Sequence, residues 1–243
     1  MKTYFKNLNT TLLLSLLLLI SSNLYAQDSK RGKNILELGF GLALPNFTST
    51  PDGQAYADSG SNISFSYERE IVSRKKEWLT IGVRYLTLSN PYNTSADVLH
   101  YSVNYPQYTF SETSGNYKLS SFLIGCGFYD YLGKKQKFTV FAKAYLGTGS
   151  LTTPAQDVKA NNVTFENINE ATKNSFVYTG SVGINYNFSK MVSLGVNMEY
   201  VKGSFLYTDQ KYTYVNVNNT YTLPSYTISY SNICLNTALS FRF

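Results

Sequence analysis

The stretch Cys234-Leu-Asn-Thr-Ala-Leu-Ser-Phe-Arg-Phe243 decides how the rest of this chain is interpreted. Every second residue from Leu235 to Phe243 is apolar apart from one threonine, and the residues between them, from Asn236 to Arg242, are small or polar. A period of two over this length is that of a β-strand whose two faces meet different surroundings. The sequence therefore predicts a two-faced strand that closes on an aromatic residue.

The same alternation recurs upstream and predicts eight antiparallel strands in all. They cover residues 35–44, 62–72, 78–88, 117–132, 137–147, 176–188, 192–200 and 225–243. Three short turns alternate with four long loops, which together with an even strand count is typical of an all-β, up-and-down transmembrane β-barrel. Ten strands are an alternative if residues 89–116 or 202–224 dip back into the bilayer. In the fourth strand, apolar residues occupy both phases, which predicts a β-bulge near Gly125–Gly127.

The N-terminus has the form of a secretory signal peptide. A basic start precedes the apolar run Leu12–Ile20, and the small residue Ala26 stands before Gln27. The run is too short to span a bilayer. We therefore predict cleavage between Ala26 and Gln27, a signal peptide over residues 1–26, a barrel domain over residues 27–243, and export through the periplasm.

Charge and aromatic content narrow the classes of partner. Residues 27–243 carry nineteen basic and fifteen acidic residues spread along the chain, which argues against a nucleic-acid partner. Aromatic residues make up 16% of the chain, with 22 Tyr among them. Such a content is typical of the aromatic girdles at the interfaces of a membrane barrel, and a tyrosine-rich adhesive surface is the alternative.

The second face of the strands carries charged residues that a membrane barrel would turn inward. They are Glu37, Glu68, Glu70, Arg84, Lys143, Glu199 and Arg242. Buried charges must be paired or solvated, and the interior of an eight-stranded barrel is only wide enough for side chains. We therefore expect ion pairs that form a polar plug in the lumen, with a conducting pore as the alternative.

The sequence contains no recognisable catalytic, metal-binding or cofactor-binding constellation. The single histidine, His100, falls in a predicted loop. Cys126 and Cys234 fall on predicted strands at opposite sides of the barrel, too far apart for disulfide geometry. We therefore expect two free thiols, no cofactor and no enzymatic activity.

Alternation alone does not distinguish the inside of a barrel from its outside. A soluble lipocalin-like barrel, which binds its ligand inside an apolar cavity, has the same period of two. The aromatic final residue, the rhythm of short and long connections, and the glycine-rich polar face favour the membrane barrel.

Taken together, residues 27–243 resemble the small OmpA/OmpX-type outer-membrane barrels and the outer-membrane protein β-barrel domain family. The sequence Leu-Tyr-Ala-Gln27 and the Tyr/Asn-rich composition resemble the versions of this family from Bacteroidota. The resemblance implies an outer-membrane location, surrounding outer-membrane lipid, and a final strand that the barrel-assembly machinery reads through Leu239, Phe241 and Phe243. It supplies no catalytic residues. We expect a structural or surface-interaction protein whose long loops meet an unknown extracellular ligand. A small passive porin or solute channel is the alternative, and an outer-membrane enzyme ranks last.

Overall fold

A computed structural model describes residues 32–50, 56–74, 76–208, 210–214, 219–222 and 224–243. The predicted signal peptide, with Ala26 and Gln27 at its cleavage point, lies outside these residues. Within them, eight long strands form a closed antiparallel ring, as the sequence predicts. Numbered in chain order together with six short strands, they are β1 (Asn34–Pro45), β3 (Gly60–Arg74), β4 (Glu77–Pro91), β6 (Asn116–Leu132), β7 (Phe138–Thr153), β10 (Ala171–Asn187), β11 (Val192–Tyr207) and β14 (Tyr226–Arg242).

The ring closes between its first and last strands. Strand β14 pairs with β1 from Ile35 opposite Arg242 to Pro45 opposite Asn232, and the short strand β2 (Thr48–Thr50) lies beside the start of β14. Backbone hydrogen bonds between Asn34 and Phe243 continue this seam to the final residue. Because lipid offers no hydrogen-bond partner to a free strand edge, a sheet that crosses a bilayer must close in this way.

The ring turns its apolar rows outward. On β1, Leu38, Phe40 and Leu42 are 49%, 58% and 58% exposed, whereas Glu37 on the opposite face is buried. Outward-facing Val182 on β10 and Val196 on β11 are 54% and 56% exposed. Such an exterior suits lipid and not water. The alternative of a soluble barrel with its alternating apolar rows inside is therefore wrong.

The strands also define the two ends of the barrel. Tight connections follow β3, β6 and β10, and both described chain ends lie on the same side as these connections. Short turns face the periplasm in barrels of this kind, so we call this the periplasmic end and the opposite one the extracellular end. The described residues contain no helix long and apolar enough to cross a membrane.

One local prediction, a bulge in the fourth long strand, was wrong. Strand β6 pairs without a register shift, so the predicted bulge near Gly125–Gly127 is absent, and a bulge lies instead between Glu70 and Val72 on β3. Apolar residues occupy both phases of β6 because Leu119 and Leu123 point into an apolar part of the lumen, not because the strand is irregular. The described residues add no ninth or tenth strand to the closed ring.

The long loops build a second unit above the extracellular end. It consists of helix α1 (Thr94–Asn104) and a sheet of five short strands, namely β5 (Phe110–Ser114), β8 (Gln156–Ala160), β9 (Val163–Ile168), β12 (Lys211–Tyr214) and β13 (Asn219–Thr222). We call this unit the cap. The helix was not predicted, and it begins where the Asn93 side chain accepts a hydrogen bond from the Ala96 N–H, 2.9 Å away. His100 therefore lies on a helix and not in a loop.

Candidate functional site

The centre of the lumen holds a layer of paired charges. Lys143 Nζ lies 2.9 Å from Glu37 Oε1 and 2.9 Å from Glu68 Oε1, and all three side chains are almost completely buried. The three residues come from β7, β1 and β3, so this cluster links strands on different sides of the ring. We call Lys143, Glu37 and Glu68 the lysine triad.

Hydroxyl groups satisfy the carboxylates of the lysine triad. Glu68 accepts hydrogen bonds from Thr80 Oγ1 at 2.5 Å, from Tyr129 at 2.7 Å and from Tyr145 at 2.8 Å. Glu37 accepts one from Ser240 Oγ at 3.0 Å. With these bonds every carboxylate oxygen of the triad has a partner, which is the condition under which buried charges are tolerated.

A second buried pair lies beside the triad. Arg84 Nη2 donates to Glu199 Oε2 at 2.8 Å, and Asn236 Nδ2 donates to the same oxygen at 3.2 Å. Arg84 Nε and Glu199 Oε1 have no hydrogen-bond partner among the described residues. This pair is therefore less completely satisfied than the lysine triad.

Apolar side chains fill the lumen above and below these charges. The extracellular layer includes the fully buried residues Leu86, Leu119, Leu123, Phe205 and Tyr230, and Phe47 packs into it against Tyr230 with ring centroids 4.3 Å apart. The periplasmic layer consists of Ile35, Trp78, Tyr129 and Phe141. The sequence predicts a polar plug of ion pairs, and the structure has a layer of paired charges between two apolar layers.

The remaining two predicted lumen residues lie apart from this layer. Glu70 is near the periplasmic end of β3, where it is only partly buried. Arg242 lies at the periplasmic mouth, with its guanidinium carbon 4.4 Å from the Trp78 ring centroid and a 2.9 Å hydrogen bond to the Tyr131 hydroxyl. The structure thus brings together Glu37, Glu68, Arg84, Lys143 and Glu199 from the predicted set.

The other predicted residues lie on the barrel wall or in the cap. Leu239 and Phe241 are partly exposed on the outward row of β14, and Phe243 ends that row. Cys126 faces outward and Cys234 inward, and both are free thiols. His100 is exposed on α1, with Nε2 3.2 Å from Asn104 Nδ2, and no group of acidic, histidine or cysteine residues in the described chain could hold a metal ion.

The cap has a core of its own that the sequence did not predict. Tyr101 of α1 stacks on Phe110 with ring centroids 5.3 Å apart, and Phe165 packs edge-on to both rings. The Tyr101 hydroxyl donates to Glu166 at 2.8 Å. Helix and sheet therefore form one packed unit, and the aromatic residues of its core come from different long loops.

Acidic residues lie between the helix and the sheet of the cap. Asp97 and Glu166 are each 7% exposed, and Asp97 accepts a 2.8 Å hydrogen bond from the Tyr92 hydroxyl. Burial, together with the charges of Asp97 and Glu166, raises the pKa of Glu112 to about 8. Burial also raises the pKa of Glu166. Glu112 is therefore largely protonated at neutral pH.

The closed ring and its lipid-compatible exterior define an outer-membrane β-barrel protein, located in the bacterial outer membrane. Solved structures with a similar fold are outer-membrane proteins. The outer membrane protease OmpT from Escherichia coli aligns with a TM-score of 0.52 at 6% identity, over 90% of this chain and 99% of that one. Neisserial surface protein A aligns with a TM-score of 0.43 at 14% identity, over 86% and 96%.

A major outer membrane protein from Thermus thermophilus aligns with a TM-score of 0.47 at 12% identity, over 87% of this chain and 100% of that one. No protein-family model and no curated protein matches the chain. At these identities the similarity shows the fold alone, so the activity of OmpT is not transferred to this protein.

Proposed function

We propose that this protein is a non-enzymatic surface-interaction barrel, in which the cap binds an extracellular ligand and the barrel anchors the cap in the outer membrane. The observation that carries the proposal is the packed core of the cap, with Tyr101, Phe110 and Phe165 held between helix and sheet. A unit with its own core holds its surface in a fixed shape, which lowers the entropic cost of binding.

The exposed surface of the cap also supports this proposal. Leu99 and Val103, four residues apart on one side of α1, are 65% and 72% exposed, and Val163 at the start of β9 is 57% exposed. Tyr105 and Tyr108 are each 42% exposed beyond the end of the helix. Apolar and tyrosine side chains concentrated on one unit are typical of interaction surfaces.

Excision of the cap tests this proposal without opening the barrel. The ring strands still pair at Pro91 opposite Asn116, Thr153 opposite Ala171 and Tyr207 opposite Tyr226, so short Gly-Ser turns can replace residues 92–115, 154–170 and 208–225. The intact and excised proteins would be compared for binding to immobilised glycans and extracellular-matrix proteins. Binding by the intact protein alone is expected, and equal binding by a folded excised barrel would refute a role for the cap.

The lumen argues for a plugged barrel over a passive porin. Apolar layers on both sides of the charged layer exclude water, and the lysine triad occupies the centre of the cross-section. Polar residues along β10, such as Thr179 and Asn185, are the observation that favours a narrow pore. Planar-bilayer recordings decide between the two, because folded protein is expected to give no channel currents.

The outward row of β14 supports a role for Leu239, Phe241 and Phe243 in recognition by the barrel-assembly machinery. Leu239 and Phe241 lie on the strand that closes the ring, Phe243 directly follows it, and none of the three belongs to the apolar layers of the lumen. Replacing Phe243 with Ala is expected to slow folding into membranes in the presence of that machinery and to leave spontaneous folding into detergent unchanged.

A further inference from the structure

The periplasmic end of the barrel is basic, whereas the cap is acidic. At the ends of the β3–β4 and β6–β7 hairpins, the described residues 69–77 and 130–137 contain six basic and three acidic side chains. The basic ones are Arg69, Arg74, Lys76, Lys134, Lys135 and Lys137, and all are exposed. In the cap, residues 92–115 and 154–170 contain one basic and five acidic side chains. The periplasmic end therefore presents a net positive charge to its surroundings, whereas most acidic residues of the cap are buried or partly buried.

An apolar groove of about 240 Å³ opens on the outer wall beside the β3–β4 hairpin. Its lining consists of Val72, Arg74, Glu77, Trp78, Leu79 and Phe128. The bulge between Glu70 and Val72 turns both Ile71 and Val72 outward, where they are 53% and 50% exposed. We call this the hairpin groove, and its apolar wall ends at Arg74 and Glu77, which lie opposite each other in the hairpin.

Arg69 provides a second positive charge close to the hairpin groove. It lies on the outward row of β3 between Tyr67 and Ile71, and opposite Ile81 of β4. A charge on a lipid-facing row is costly unless its side chain reaches the interface, where it meets phosphate groups. None of the salt bridges between described residues involves Arg69 or Arg74.

We propose that the hairpin groove binds an anionic phospholipid of the periplasmic leaflet. An acyl chain lies along Val72, Leu79 and Phe128, and the headgroup phosphate meets Arg74, with Arg69 adding positive charge at the same interface. Basic side chains at a membrane surface attract anionic lipids by about 1 kcal/mol each, which corresponds to a roughly fivefold preference per charge. An anionic cell-wall polymer is less suited to this site, because the groove faces lipid and its wall is apolar.

Trp78 makes the site measurable. It is the only tryptophan in the sequence, and its buried side chain lies on the lumen side of the wall beside the hairpin groove. Bromine atoms on a lipid acyl chain that occupies the groove therefore lie just across the wall from the indole and quench its fluorescence. The folded protein would be placed in phosphatidylcholine vesicles that contain either brominated phosphatidylglycerol or brominated phosphatidylcholine at equal content. We expect phosphatidylglycerol to quench Trp78 with an apparent affinity about fivefold higher or more.

Variants separate the site from general surface charge. The double variant R69Q/R74Q is expected to reduce the preference to less than about twofold, and V72F, which fills the groove without changing charge, is expected to weaken quenching by both lipids. The control K118Q/K159Q removes the same charge from exposed positions near the extracellular end and should retain the wild-type preference. If R69Q/R74Q does not fold, R74Q and V72F carry the test.

Ionic strength supplies an independent check. Raising salt from about 0.01 M to about 1 M shortens the Debye length from about 30 Å to about 3 Å and should reduce the preference. Equal quenching by the two lipids in the wild type, or equal losses in R69Q/R74Q and K118Q/K159Q, would overturn the proposal. Loss of binding to purified peptidoglycan in R69Q/R74Q, with an unchanged lipid preference, would also overturn the proposal. Arg69 and Arg74 would then bind the cell wall and not a lipid.

Discussion

Replacing Lys143 with methionine tests whether the charged layer holds the barrel together. The ammonium group lies 2.9 Å from a carboxylate oxygen of Glu37 and 2.9 Å from one of Glu68, and the side-chain exposures of the three residues are 1%, 5% and 0%. Methionine keeps most of the volume of lysine and removes only the charge. The variant therefore leaves two buried carboxylates without their shared cation.

The expected cost follows from burial and from the number of partners. Removing one partner of a buried ion pair costs about 3–5 kcal/mol, because the remaining charge is neither solvated nor paired. Here two carboxylates lose the cation, but Glu68 keeps hydrogen bonds from Thr80, Tyr129 and Tyr145, and Glu37 keeps one from Ser240. We expect the free energy of unfolding to fall by about 3–5 kcal/mol. Most of this loss should come from Glu37, because it keeps fewer hydrogen-bond donors than Glu68.

Urea unfolding of the detergent-folded protein, followed by loss of the heat-modifiable band on a cold gel, measures this cost. The control K118M removes a charge from an exposed position and should leave the unfolding midpoint unchanged. In E37Q/E68Q/K143M the uncompensated charges are gone, so most of the lost stability should return. If K143M unfolds at the same midpoint as K118M, or if the triple variant is less stable than K143M, the charged layer does not stabilise the barrel.

Three other outcomes follow from the geometry of the lumen, the seam and the cap. Folded protein in planar bilayers should show no channel currents, and steady ohmic conductance would contradict a plugged lumen. G41A should lower the unfolding midpoint, because its Cβ would lie 2.1 Å from the Leu235 carbonyl oxygen across the seam, whereas G180A, whose Cβ meets no atom within 4 Å, serves as the control and should not. Since the pKa of Glu112 is raised to about 8, the cap should lose stability as the pH rises from the ordinary range for glutamate through about 8. Hydrogen exchange of cap amides, corrected for intrinsic rates, should show this loss in the wild type and in the exposed control E170Q but not in E112Q; a loss that persists in E112Q would assign it to another group.

The barrel could be predicted from the sequence because its strands have a simple period. Outward rows such as Leu38, Phe40 and Leu42 alternate with inward residues over the full length of each strand, and lipid requires that alternation. The same rule failed on β6, because it assumes that inward residues are polar. Leu119 and Leu123 break the assumption, since they fill the lumen above the charged layer.

The cap could not be predicted in the same way, because its pairing is not local. Strand β5 pairs with β8 through Phe110 opposite Ala160, two segments that belong to different loops. In the helix, Tyr101, Val103 and Tyr105 alternate with polar residues as they would in a strand, although Asn93 as a cap and Asp97 in the first turn are helix signals. Packing of Tyr101 against Phe110 stabilises the helical conformation, and that contact forms only in the folded chain.

The arrangement of the lumen explains why binding is better placed in the cap than in the barrel. Apolar layers on both sides keep water from Lys143, Glu37 and Glu68. The low dielectric strengthens the attraction between these charges, and it also makes opening the lumen costly because the charges would have to separate. A solute that entered from outside would have to displace the packed side chains around Phe205 before it reached a charge. We therefore expect the same packing that stabilises the charged layer to close the barrel to solutes, which leaves the exposed surface of the cap as the part that can meet a ligand without unfolding the membrane domain.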